Sequence, residues 1–345
     1  MSISRKTYAD GHHALRSVHV KSHALLLATL TIGDNRAALA QGLFAQAKSY
    51  PVVMRFSTTP GDLLPDSIST PRGLALKVVG VAGARLPGSE SDVTQDFVMV
   101  NGPAFQTSDA RMFLANLKLL AATTDRMEGA KVAASTVLQG TEKLIESLGG
   151  KSVAVRALGG EPATHPLGET YYTQTPLLYG AYMAKLSIVP VAPELTELTG
   201  RHVDISHNPT ALRDAMTDHF AIYGGEWDIR AQLCTDLDAM PIEDAAKVWP
   251  EDISPYVTVA RLTVEPQTSW NQARSEAVDD GMSFSPWHGL AAHRPLGQIN
   301  RLRKEAYAAS AHFRAARTGQ ALAEPRGLED LGALRDTETS EVFYP

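Results

Sequence analysis

Residues 16–32 read RSVHVKSHALLLATLTI. The first half alternates β-branched Val18 and Val20 with polar Ser17, His19 and Lys21, and the second half is nearly apolar up to Gly33-Asp34. That pattern predicts a long strand entering a covered sheet, with Arg16 and His19 near its start. Residues 51–57, PVVMRFS, predict a second strand with Val53, Arg55 and Ser57 on one face. Residues 72–82, RGLALKVVGVA, predict a third, and residues 97–100 a fourth that stops at Asn101-Gly102-Pro103. Four strands without long helical crossovers imply an antiparallel sheet or barrel rather than a parallel α/β fold.

Helical patterns follow at 109–123, with Ser108 as N-cap, and at 129–148. Strands return at 182–191, 227–236 and 256–264, with a helix at 211–223 between the first two. A segment at 265–295 reads as mostly loop. The next helix is well bounded: Pro295 precedes it, residues 298–317 carry no Pro or Gly, and Gly319 follows. No linker divides the 345 residues, so a single domain is expected over 1–345, its core about 12–320 and a surface tail at 321–345.

Composition narrows the function classes. Lys+Arg 32 against Asp+Glu 38, with no basic block, argues against nucleic acid as a partner. The single cysteine, Cys234, excludes an intrachain disulfide and a cysteine-based metal cluster. No stretch approaches the ~20 apolar residues of a membrane span, and MSISRKTYADGHH lacks a signal-peptide core. A cytoplasmic protein is expected.

Arg303, Tyr307, Ser310 and Arg314 fall on one stripe of the helix near the C-terminus, within an arc of roughly 60°. The stripe alone fits an amphipathic surface helix. It also fits a phenol held as phenolate by one arginine, with the other pairing a carboxylate further away. Tyrosine is among the few side chains that ligate haem iron.

The wider sequence adds to that second reading. RSVHVKSHALLLATLTI resembles the haem catalase strand that opens Arg-x-x-His-x-Lys. MRFSTTPGD and TPRGLALKV resemble that family's Arg-Phe-Ser-Thr turn and Pro-Arg-Gly strand. DFVMVNGPAF resembles its asparagine segment, with Val100 in place of one Asn. KVWPEDISPYVTVARLTVEP, SFSPWHGL and RLRKEAY continue the likeness in order, from about Leu15 to about Arg317.

The resemblance implies an α+β fold around an antiparallel β-barrel of the haem-catalase type, with haem b as cofactor. It further implies that Tyr307 is the iron's axial ligand and that Arg303 assists it. His19 would be the proton shuttle, Ser57 would orient its ring, and Asn101 would donate a hydrogen bond to bound peroxide. Arg16, Arg55 and Arg314 would pair with the haem propionates, and Val18 and Phe113 would pack on the porphyrin. The activity implied is a peroxidase or catalase acting on hydrogen peroxide or an organic hydroperoxide through a ferryl intermediate, with an unidentified electron donor.

Departures from the family's pattern qualify this. Ala308-Ala309-Ser310 replaces Pro-Asp-Thr after the tyrosine, and only about fifteen residues precede Arg16. A small catalase-related peroxidase is expected, without the C-terminal helical or flavodoxin-like domain, and a monomer or homodimer rather than an interlocked tetramer. Two alternatives stay open: a fatty-acid hydroperoxide isomerase or lyase of the allene oxide synthase type, and a non-enzymatic haem or lipid carrier. The allene oxide synthase branch carries threonine where this chain has Val18, which favours ordinary peroxide chemistry. His12-His13, His288 and His293 have no neighbours at ligand spacing and read as surface or loop residues.

Overall fold

The computed structural model describes residues 15–59, 61, 63–115, 161–319 and 322–336. The helix expected at 129–148, most of that expected at 109–123, and His12-His13 lie outside these residues.

Among the described residues, nine strands form one sheet. They are β1 (Ser22–Ile32), β2 (Lys48–Thr58), β3 (Arg72–Val79), β4 (Thr94–Val100), β5 (Tyr171–Tyr172), β6 (Leu177–Tyr179), β7 (Tyr182–Pro190), β8 (Gly225–Leu233) and β9 (Val257–Val264). The order is β5-β4-β3-β2-β1-β9-β8-β7-β6, and every pairing is antiparallel. β5 also pairs with β7, so the sheet closes into an eight-stranded barrel with β6 beside β7 on the same edge. Closure leaves few open strand edges, which suits strands this apolar.

Alternation along the strands sorts side chains into two compartments. Leu26, Met54, Leu76, Phe97, Ile188, Ile229 and Leu262 face the barrel interior, where they form the main core. Leu25, Val53 and Val79 point outward and are covered by Val278, Met282, Phe284, Leu331 and Leu334. Each fully buried side chain of this size contributes about 1.5–3 kcal/mol. The outward face of β1 and β2 also carries Arg55 and Ser57, so the candidate site sits outside the barrel wall.

Two helices matter here, α1 (Ala211–Phe220) and α2 (Gly297–Thr318). α2 ends as expected: Gly319 adopts φ 67, the left-handed C-cap that glycine takes without steric cost. None of the described helices is long and apolar enough to cross a membrane.

Two expectations need correction. The first strand begins at Ser22, not at Arg16, because His19 adopts φ 55 and breaks the extended run. The helix starting at 110 is capped by Asp109 rather than Ser108: its Oδ1 accepts from the N–H groups of Arg111 and Met112. The segment 265–295 is mostly loop, and within it a helical turn, Gln272–Ser275, runs into a π-helical turn, Glu276–Asp280. Residues 322–336 run along the surface, with Leu331 and Leu334 buried against the barrel and Asp336 paired with Arg274 at 2.8 Å.

Candidate active site

His19 sits on the turn that leads into β1, held from every side. Its N–H donates to the Thr59 carbonyl at 2.9 Å, and its own carbonyl accepts from Arg55 Nη2 at 2.8 Å. Ring Nδ1 lies 3.1 Å from Ser57 Oγ on the last turn of β2. The ring occupies the gap left by Gly73: a Cβ there would fall 2.4 Å from His19 Cε1. This is why the Pro-Arg-Gly stretch needs its glycine. A left-handed backbone at a non-glycine residue costs on the order of 1–3 kcal/mol, so the surrounding bonds must over-determine it. Burial, and then the fields of Arg55, Arg303 and Arg16, hold the His19 imidazole down at about 3. It is therefore neutral across the physiological range.

Tyr307 lies halfway along α2, half-buried. Arg303, one turn earlier, donates from Nη2 to the phenol oxygen at 3.1 Å. Arg303 is itself anchored, its Nη1 reaching Asn300 Oδ1 at 3.2 Å and Thr175 Oγ1 at 3.4 Å. The helix is tied to the His19 segment by Ser17 Oγ and Ser310 Oγ, 2.7 Å apart. His19 lies two positions after Ser17 and Tyr307 three positions before Ser310, so imidazole and phenol belong to adjoining elements.

The three arginines expected together do converge. Arg16 Nη2 donates to the carbonyls of Val278, Asp279 and Met282 at 2.9, 3.2 and 2.9 Å. Arg314 reaches the carbonyls of Asp279, Asp280 and Met282 at 2.6, 3.3 and 3.0 Å. Arg55 Nε donates to the Asp279 carboxylate at 2.7 Å. Asp279 is thus the hub of the cluster, and no sequence pattern marked it.

Other expected residues lie elsewhere. Asn101 Oδ1 accepts from the Arg72 N–H at 2.9 Å, and its Nδ2 donates to Glu161 Oε1 at 2.9 Å and Glu169 Oε2 at 2.5 Å. Both amide protons are committed, so the expectation that Asn101 donates to a substrate beside His19 does not match this geometry. Phe113 packs edge-on against Phe105, with ring centroids 5.0 Å apart, rather than against His19 or Tyr307. Val18 is half-buried next to His19. His293 is not a surface residue: it is buried among Phe44, Phe97 and Tyr179, and its Nε2 accepts from the Leu43 N–H at 2.9 Å.

The arginine cluster tests whether a dicarboxylate such as haem would fit. Three guanidinium groups surround one carboxylate, and counting neighbouring Asp280 still leaves an excess of positive charge. Burial and then Arg314 and Arg55 push Arg16 well below its usual range, while burial and then Arg55 push Arg314 down to about 10. Nε of Arg16 and Nε of Arg314 are both buried without a hydrogen-bond partner. Orphaned donors among mutually repelling cations suit an added anion. The residues present therefore fit the group that the sequence resemblance implied.

Neither a family model nor a curated protein matches the chain. Solved structures do. A fungal catalase aligns at TM-score 0.62 and 17% identity, over 98% of this chain and 67% of its own. Catalase A from Saccharomyces cerevisiae aligns at 0.58 and 17%, over 98% and 70%. A bacterial catalase aligns at 0.55 and 16%, over 90% and 59%. The chain has the catalase fold, and it spans roughly three-fifths to seven-tenths of these proteins' lengths.

Proposed function

We propose that this chain is a catalase-related haem protein that consumes hydrogen peroxide or an organic hydroperoxide. The observation that carries the reading is the Arg303–Tyr307 hydrogen bond on a helix tied, through Ser310 and Ser17, to the turn that holds His19. Bound haem would supply an iron centre at which the peroxide O–O bond is cleaved. Tyr307 would hold that iron through its phenol oxygen, to which the Arg303 guanidinium donates a hydrogen bond. Arg16 and Arg314 would take the two carboxylates, using the Nε donors that otherwise go unpaired.

His19 does the proton work. With Nδ1–H donating to Ser57 Oγ, Nε2 keeps a free lone pair. A neutral ring at neutral pH can take a proton from one peroxide oxygen and return it to the other. Val18, next to His19, is the residue that favours ordinary peroxide turnover over hydroperoxide rearrangement. The test is peroxide consumption by the haem-loaded protein and its His19→Gln variant. A loss of about 10²–10⁴-fold in the variant is expected for a removed acid–base group. Equal rates in both proteins would reject the role of His19. Rearranged products from a lipid hydroperoxide, without a reducing co-substrate, would reject the peroxidase reading.

A further inference from the structure

Asp279 stands on the π-helical turn Glu276–Asp280, against the outer face of β1 and β2. Its Oδ1 accepts from Arg55 Nε at 2.7 Å, and its Oδ2 accepts from Ser22 Oγ at 2.7 Å and Ser275 Oγ at 2.9 Å. Arg55, only 2% exposed, turns its other edge to the backbone, with Nη2 donating to the carbonyls of His19 at 2.8 Å and Val20 at 3.2 Å. A planar guanidinium bonded on two edges has its direction fixed. Burial raises the Asp279 carboxyl, but Arg55, Arg16 and the Ser22 hydroxyl outweigh it and hold the group below the usual carboxylate range. The carboxylate is therefore a permanent anchor at neutral pH.

What this anchor holds is the strained residue. His19 adopts φ 55, and in that conformation its carbonyl meets Arg55 Nη2. Without a donor aimed at the carbonyl, the turn would relax toward the extended region. The imidazole would then leave Ser57 and the gap over Gly73.

We infer that Asp279 is a positioning residue for His19: through Arg55 it fixes the backbone turn that delivers the imidazole to Ser57. Arg55 is then a strap on the histidine's backbone as much as a candidate partner for a cofactor carboxylate. The effect on rate rests on the reading of His19 as the acid–base group; the effect on ring position does not.

The experiment compares the full chain with Asp279→Asn, Arg55→Lys and the double variant. In haem-free protein labelled with ¹⁵N-histidine, the His19 ring resonances should shift and broaden in both single variants, and no further in the double one. Loaded with haem b, Asp279→Asn should react with hydrogen peroxide about 10-fold more slowly, the penalty of a misplaced group, with its ferric absorption spectrum unchanged. Ser275→Ala keeps the charge and removes one bond to Asp279, so a smaller shift of the same resonances is expected even where the asparagine variant folds poorly. Unchanged His19 resonances in these variants, or independent and multiplying losses in the double variant, would overturn the inference. A wild-type protein inert to peroxide would sink the functional reading and leave the resonance comparison standing.

Discussion

Two buried clusters of charge lie on the outer wall of the same barrel, and they are built in opposite ways. Around Lys77 on β3 the charges close on themselves. Its Nζ meets Asp96 Oδ1 and Glu324 Oε2, each at 2.7 Å, and His288 Nε2 meets Asp92 Oδ2 at 2.8 Å. No side-chain polar atom of these five residues is left buried and unpartnered. Around Asp279 three arginines crowd one carboxylate, each turns Nη donors to carbonyls, and two Nε donors stay unpaired. A protein that needed only stability from buried charge would build both clusters like the first. The second keeps two buried donors unpaired among mutually repelling cations, and the proposed haem carboxylates would complete it.

The contrast breaks most readily at Lys77. Lys77→Met leaves Asp96 buried without its main partner, and the expected cost is about 3–5 kcal/mol in urea unfolding. Arg314→Gln should cost less in haem-free protein, about 1–2 kcal/mol, because the lost hydrogen bonds are offset by relief from Arg16 and Arg55. The same change should weaken haem binding by roughly 10-fold in a titration, as expected for one charge-assisted contact. If Arg314→Gln destabilised the haem-free protein as much as Lys77→Met and left haem affinity alone, the second cluster would be structural like the first.

A last contrast lies in pH. His19 is held at about 3, and His165 and His293 at about 4, burial being the main cause in each. Folded values below the unfolded 6.5 mean that the unfolded chain binds more protons on acidification. Stability from these residues is therefore present above pH 6.5 and is lost as pH falls toward 4, by up to about 1.4 kcal/mol per pH unit for each. His288 runs the other way: burial opposes its charge, but Asp96 and Glu324 raise its value. Its contribution is complete below pH 6.5 and fades as pH climbs through the raised folded value. Urea unfolding from pH 5 to 8 should show both limbs, and His288→Asn should remove the alkaline one alone.

The barrel strands of six residues or more were legible because each carries its own alternation or apolar run. β5 and β6 were not, being two and three residues long and defined by pairing with β7 rather than by any local pattern. The bounds of α2 were legible through Pro295 and Gly319. Its link to His19 was not, since Ser17 and Ser310 are ordinary serines whose contact exists only in three dimensions. The family resemblance singled out Arg16, Arg55 and Arg314, and the fold brings them around Asp279. That resemblance gave no sign of Asp279, which comes from a short irregular turn with no periodicity, nor of the commitment of Asn101 to Glu161 and Glu169. Resemblance locates residues on a chain; the direction in which a side chain donates is set by neighbours far away in sequence.

The central claim is that Tyr307 holds haem iron. It is tested most directly by the absorption spectrum of the haem-loaded protein beside its Tyr307→Phe variant. A high-spin ferric spectrum of the phenolate type in the first, absent from the second, is the predicted result. Identical spectra in the two proteins, or no haem retained by either, would contradict it.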